Sequence, residues 1–153
     1  MKKWISLLLI IFCFAKVQAQ GFNEPWNPNQ LMSPAALAEK IVQNRMQHTV
    51  VINIGPDAVI KNSYNAGPAN EEENIVKLKK YLSGISKDKE VVIYCGCCPF
   101  DICPNIRPAF KTLQEMDFVN AKLLNIPKNI KTDWIDKGFP VNKNNVLKNN
   151  LKK

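Results

Sequence analysis

The sequence predicts an α/β fold in which a parallel sheet of about five strands has helices on both faces. Short apolar segments, of which residues 49–54, 91–94 and 121–126 are the clearest, alternate along the chain with segments of helical periodicity. These apolar segments lack the alternation of a half-exposed strand, as expected for parallel strands that are covered on both faces. The chain has 153 residues, 46% of them hydrophobic, which suits one domain with a substantial core.

Residues 1–19 have the pattern of a secretory signal peptide. Lys2 and Lys3 precede an apolar run from Trp4 to Ala15, and a small residue stands at the predicted cleavage edge. The apolar run is shorter than the roughly 20 residues that a membrane-spanning helix needs. We therefore expect an exported protein, periplasmic or extracellular, that is not stably inserted in a membrane once the signal peptide is removed.

The predicted domain covers residues 31–142, between an irregular, turn-rich lead (20–30) and a basic tail (143–153). The formal charge of +8 becomes +5 when the three lysines of the predicted signal peptide are subtracted (8 − 3). Almost all of the excess is lysine, without the arginine clusters or basic–aromatic interleaving typical of nucleic-acid sites. We expect a solvated basic surface with a weak preference for anionic substrates and no nucleic-acid partner.

Caps and apolar spacing predict four helices. Ser33 is the predicted N-cap of the first helix, which begins with a proline. Residues 55–69, rich in Gly, Pro, Asn and Ser, are predicted to form a loop that leads to the second helix, with Asn70 as its cap and three glutamates in its first turn. Asn105 is the predicted cap of the third helix, and Thr132 the predicted cap of a short fourth helix.

Four cysteines carry the functional prediction. They follow the central strand within nine residues and are Cys95, Cys97, Cys98 and Cys103. Cys95 ends the strand, and a helical pattern begins soon afterwards at Ile106. In parallel sheets, ligands bind at the edge where the strands have their carboxyl ends. In addition, a helix N-terminus lowers the pKa of a nearby thiol. Because the four cysteines are so close in sequence, disulfide bonds among them would not link distant parts of the fold. The cluster therefore indicates a local site.

Three segments together resemble the single-domain rhodanese family of sulfurtransferases. The first is Met32–Leu37, which opens the domain, and the second is the strand that ends in Cys95, with the loop and helix after it. The third is Trp134–Val141, in which a tryptophan is followed by glycine, an aromatic residue, proline and valine. The resemblance implies a rhodanese-like fold and a persulfide on Cys95. The sulfur would come from a small sulfur-donor anion such as thiosulfate and pass to a thiol acceptor.

The resemblance also assigns roles within the loop. Gly96 and the residues after it would cradle the anionic sulfur, and Arg107 would be the basic residue that closes the loop and binds substrate. In this chain the loop is extended, since Arg107 lies twelve positions after Cys95 (107 − 95) rather than about five. We predict no cofactor and no metal for this activity.

Three other interpretations of the cysteines stay open. Cys95 and Cys98 form a C-x-x-C before a helix, which is typical of thiol–disulfide redox proteins. The candidate redox thiols are then Cys97, Cys98 and Cys103. In the sulfurtransferase interpretation the same three thiols are candidates to resolve the persulfide, that is, to react with it. The four thiolates could instead bind zinc or another soft metal. Finally, the domain could be a binding module with two local disulfides.

Overall fold

The computed structural model describes residues 24–143, which form a five-stranded parallel sheet. The strands are β1 (Leu31–Met32), β2 (Thr49–Asn53), β3 (Tyr64–Asn65), β4 (Glu90–Tyr94) and β5 (Ala121–Leu124). Their order across the sheet is β1-β5-β4-β2-β3, with β4 at the centre. This confirms the predicted α/β class, the parallel direction and the number of strands.

The predicted signal peptide, the start of the lead and nearly all of the basic tail lie outside the described residues. Within residues 24–143, no helix combines the length and the apolar character that crossing a membrane requires.

Three helices connect strands of the sheet, while a 3-10 helix (Pro28–Gln30) precedes β1 and one π-helical turn follows β5. The three helices are α1 (Pro34–Val42), α2 (Glu72–Leu82) and α3 (Ile106–Glu115), and the turn is Lys131–Ile135. The predicted cap of α1 is confirmed, since Ser33 Oγ accepts a hydrogen bond from the Ala36 N–H at 3.2 Å.

Of the other three predicted caps, Asn70 and Thr132 are wrong, and Asn105 is confirmed as the residue that precedes α3 but not as a side-chain cap. Helix α2 begins one residue later than an Asn70 cap requires, and Glu71 precedes it without a side-chain cap. The Asn105 side chain makes no capping hydrogen bond to α3. Thr132 lies inside the π-helical turn, where its N–H donates to Asn129 Oδ1 at 2.9 Å. For Asn105 the reason is tertiary, because its side chain forms hydrogen bonds with Cys95 Sγ and with the Asn70 N–H instead.

The predicted loop 55–69 also needs a correction, because it contains the edge strand β3. Tyr64 pairs with Ile52, and Asn65 pairs with Asn53. A strand of two residues is too short to show any hydrophobic period, so only pairing with β2 reveals it.

Both faces of the central strand are covered, which explains its continuous apolar sequence. Val91 and Ile93 face the core that includes α2 and α3, whereas Val92 and Tyr94 face the core that includes α1 and Trp134. All four strand residues are fully buried. Successive side chains of a strand point to opposite faces, so the residue after Tyr94 belongs to the α2–α3 face.

Candidate functional site

Cys95 lies immediately after β4, at the carboxyl edge of the sheet and on the α2–α3 face. It is buried, with 4% of its surface exposed. The end of β2 approaches it closely: a Cβ on Gly55 would lie 2.7 Å from Cys95 Sγ. Glycine at position 55 therefore gives the sulfur the space that it occupies, and the two strand ends form one wall of the site.

Several hydrogen-bond donors converge on Cys95 Sγ. Asn105 Nδ2 lies at 3.3 Å and the Cys97 sulfur at 3.1 Å, and the Cys103 sulfur lies within 4.8 Å. The hydrogen bond from Cys103 contributes most, and together the donors outweigh the opposing effect of burial and lower the pKa of Cys95 to about 5. Cys95 is therefore a thiolate at neutral pH.

The thiols of Cys97 and Cys103 remain protonated. Burial, followed by hydrogen bonds with Cys95 and Cys98, raises the pKa of Cys97 to about 12. The hydrogen bond to Cys95 and burial also raise the pKa of Cys103. These pKa directions give one anionic sulfur, that of Cys95, with the protonated thiols of Cys97 and Cys103 beside it, and an anionic sulfur is what the predicted nucleophile requires.

Gly96 holds the first turn of the loop against the rest of the fold. Its φ of +103° is in the region that favours glycine, and a Cβ there would lie 2.7 Å from Ile130 Cβ. Its carbonyl accepts a hydrogen bond from the Ile130 N–H at 2.9 Å, and further along the loop the Phe100 N–H donates to the Ile126 carbonyl at 3.1 Å. The extended loop is thus fastened to the segment that follows β5.

Arg107 occupies the first turn of α3, but its guanidinium is engaged away from the thiols. Nη2 forms an ion pair with Glu24 and donates to the Asp101 carbonyl at 2.6 Å. The guanidinium also lies 5.7 Å from the ring centre of Trp26. Arg107 therefore joins the lead segment to the loop, and these contacts do not bring it to Cys95. Its role in binding an anion stays a prediction.

Asn105 is the site residue that sequence reasoning missed. Its Nδ2 donates to Cys95 Sγ, while its Oδ1 accepts from the Asn70 N–H at 3.0 Å. The side chain is thus held at both ends inside the protein, with 4% of the residue exposed. In sequence it looks like an ordinary helix cap, and no local pattern shows that its amide turns toward a cysteine ten positions earlier (105 − 95).

The four cysteines are free thiols, and three of them lie close together. The sulfurs of Cys95, Cys97 and Cys103 all lie within 4.8 Å of one another, while Cys98 Sγ lies 3.3 Å from Cys97 Sγ. Two thiolates on one zinc ion are separated by about 4 Å, so this spacing is also compatible with a soft metal ion. For the redox interpretation, the structure places Cys97, rather than Cys98, against Cys95.

Comparison with known proteins supports the fold. No protein-family model and no curated protein matches this chain. Among solved structures, the chain is similar to the crystal structure of the single-domain sulfurtransferase RDL2 of Saccharomyces cerevisiae, with a TM-score of 0.51 and 15% sequence identity. The similarity covers 71% of this chain and 90% of that chain. At this identity it establishes a rhodanese-like fold and nothing finer.

Proposed function

We propose that this protein is a sulfurtransferase that carries sulfane sulfur as a persulfide on Cys95. The observation that carries the proposal is the arrangement of polar groups around Cys95 Sγ, with Cys97 Sγ at 3.1 Å, Asn105 Nδ2 at 3.3 Å and the Cys103 sulfur within 4.8 Å. Donors that stabilise a thiolate also suit the negative charge of a persulfide in the same place. The rhodanese-like fold, which is that of a named sulfurtransferase, supports the same activity.

The proposed first half-reaction needs no separate base, because Cys95 is already deprotonated. Its thiolate attacks the outer sulfur of a donor such as thiosulfate. A new S–S bond forms at Cys95, the donor's S–S bond breaks, and its electron pair leaves on sulfite. In the second half-reaction a thiolate acceptor attacks the outer sulfur of the persulfide, and Cys95 is regenerated as the thiolate.

The experiment is a single turnover with the reduced chain that begins at residue 20. Thiosulfate should release one sulfite per protein and add one sulfur atom to the intact mass, and fragmentation should place that sulfur on Cys95. Cyanide should remove it as thiocyanate. The Cys95→Ser variant should show neither change, whereas Cys98→Ser, which lacks a different thiol of the same loop, should still accept the sulfur.

Two outcomes contradict the proposal. Equal sulfite release by the Cys95→Ser variant would exclude Cys95 as the nucleophile. A stoichiometric metal ion in the purified protein, removable by a chelator and needed for the native fold, would favour the metal interpretation of the same cysteines.

We also propose that the protein acts outside the cytoplasm, in the periplasm or beyond the cell. Residues 1–19 carry this proposal by their sequence pattern, and they lie outside the described residues. Fractionation followed by N-terminal sequencing provides the test. A chain that begins at residue 20 in the exported fraction supports the proposal, and a chain that retains Met1 in the cytosol contradicts it.

A further inference from the structure

We propose that Cys97 is a second sulfur carrier, which takes the sulfane sulfur from Cys95 and presents it to the acceptor thiol at the surface. This inference rests on the persulfide function proposed for Cys95 and deepens it, because it names the residue through which the sulfur leaves the protein.

The difference in exposure between the two cysteines is the first support. Cys95 is 4% exposed, whereas Cys97 is exposed to solvent. Gly96, which joins them, is itself buried and fastened through its carbonyl to the Ile130 N–H. A small anion needs little room to reach a buried sulfur. An acceptor thiol on a peptide or protein needs more room, because the backbone to which it is attached must also approach the site. Such an acceptor would meet Cys97 before Cys95.

Contact between the two sulfurs is the second support. Cys97 Sγ lies 3.1 Å from Cys95 Sγ. Among residues 24–143, Cys97 is the cysteine that is both exposed and in contact with Cys95, since Cys103 is fully buried and Cys98 is partly buried. Cys98 Sγ lies 3.3 Å from Cys97 Sγ, further along the loop. Cys95 and Cys97 thus form a path from the buried sulfur to the surface, and Cys98 lies beside the end of this path.

The transfer conserves atoms and charge. The Cys97 thiol first gives its proton to the anionic outer sulfur of the Cys95 persulfide. The resulting Cys97 thiolate attacks that outer sulfur, an S–S bond forms at Cys97, and the S–S bond at Cys95 breaks with its electron pair returning to Cys95. The products are a Cys95 thiolate and a protonated Cys97 persulfide, so no oxidant or reductant is consumed.

The donors around Cys95 direct the attack to the outer sulfur. They stabilise Cys95 as a leaving thiolate, and a thiol of low pKa leaves faster in such exchanges. An attack on the inner sulfur would instead release hydrosulfide and close a Cys95–Cys97 disulfide. A persulfide extends about 2 Å beyond Sγ, so the Cys97 side chain must swing outward to align with the bond that it attacks. Its exposed position allows this movement.

The test compares a small acceptor with a bulky one after loading with thiosulfate. The Cys97→Ser variant replaces one of the groups that contact Cys95, so its loading is expected to be slower. Discharge is therefore timed from protein that already carries one sulfur on Cys95, and cyanide should still remove that sulfur from the variant. Its discharge to glutathione should be slower than that of the unsubstituted protein by at least about tenfold, because the acceptor must then reach the buried sulfur itself. The Cys98→Ser variant retains both Cys95 and Cys97 and should discharge to glutathione as the unsubstituted protein does.

Fragment masses of the loaded, unsubstituted protein should show the added sulfur on Cys97 as well as on Cys95. Discharge of Cys97→Ser to glutathione at the unsubstituted rate would overturn the relay while leaving the function of Cys95 intact. Hydrosulfide release together with a Cys95–Cys97 disulfide would show that Cys97 resolves the persulfide rather than carrying it. Failure of the unsubstituted protein to load any sulfur would remove the proposed function and the relay together.

Discussion

Replacing Cys103 with alanine tests whether the thiol of this buried residue keeps Cys95 ionised. The Cys103 hydrogen bond is the largest contribution to the lowered pKa of Cys95. A hydrogen bond to a charged group contributes about 1.5–3 kcal/mol, and one pKa unit corresponds to about 1.4 kcal/mol. The substitution should therefore raise the pKa of Cys95 by about 1–2 units, from about 5 to about 6–7.

The assay is the rate of alkylation of Cys95 by iodoacetamide as a function of pH, with the modified residue identified by peptide mass. Only the thiolate reacts, so the rate rises with pH through the pKa of Cys95. The midpoint should move to higher pH in Cys103→Ala. The midpoint is a better measure than the rate at one pH, because a thiolate of higher pKa is also intrinsically more nucleophilic.

Cys103→Ser is the matched control, because its hydroxyl can still donate to Cys95. Its midpoint should fall between those of the unsubstituted protein and Cys103→Ala. A midpoint that stays near 5 in the alanine variant would refute the assignment of the hydrogen bond. Equal shifts in the two variants would show that the packing of the sulfur, rather than its proton, determines the pKa of Cys95.

Three further substitutions test the surroundings of the site. Gly55→Ala places a methyl group 2.7 Å from Cys95 Sγ, so urea unfolding should show a loss of about 1–3 kcal/mol. Unchanged stability together with unchanged alkylation of Cys95 would contradict this close approach. Tyr94→Phe removes the acceptor of the buried Ile60 N–H and should cost about 1–3 kcal/mol without reducing sulfur loading; reduced loading in a stable variant would refute it. Leu78→Ala removes a fully buried side chain and should cost about 2–5 kcal/mol, and a loss below about 1 kcal/mol would count against the described core.

For the site, the sequence alone was sufficient to predict where Cys95, the proposed nucleophile, lies in the fold. An apolar segment that ends in Cys95 and is followed by a helical pattern places a thiol at the carboxyl edge of the sheet, as the structure has it. The partners of that thiol could not be predicted in the same way. Asn105 precedes α3 as predicted, but its side chain donates to Cys95 Sγ instead of capping the helix. Cys103, a candidate resolving thiol in the sequence, contributes most to the lowered pKa of Cys95.

Arg107 illustrates the same limit for a charged side chain. The resemblance assigns it to the anion, and its place in the first turn of α3 agrees with the expected position next to the loop. The direction of its guanidinium, however, depends on Glu24 in the lead segment, which is distant in sequence and packs nearby through Trp26. A long, flexible side chain takes the direction of its best tertiary partner, and sequence spacing does not identify that partner.

Local periodicity and composition determined the α/β class, the central buried strands and the approximate positions of the helices. These features depend on interactions between residues close in sequence and on which faces must be buried. Only the tertiary structure decided the edge strand β3, the starts of α2 and of the π-helical turn, and the set of groups around Cys95. The reason is physical, because hydrogen bonds to Cys95 depend on the path of the loop from Gly96 to Asn105. Contacts with the end of β2 and with the segment after β5 determine the path of this loop, and both are distant from it in sequence.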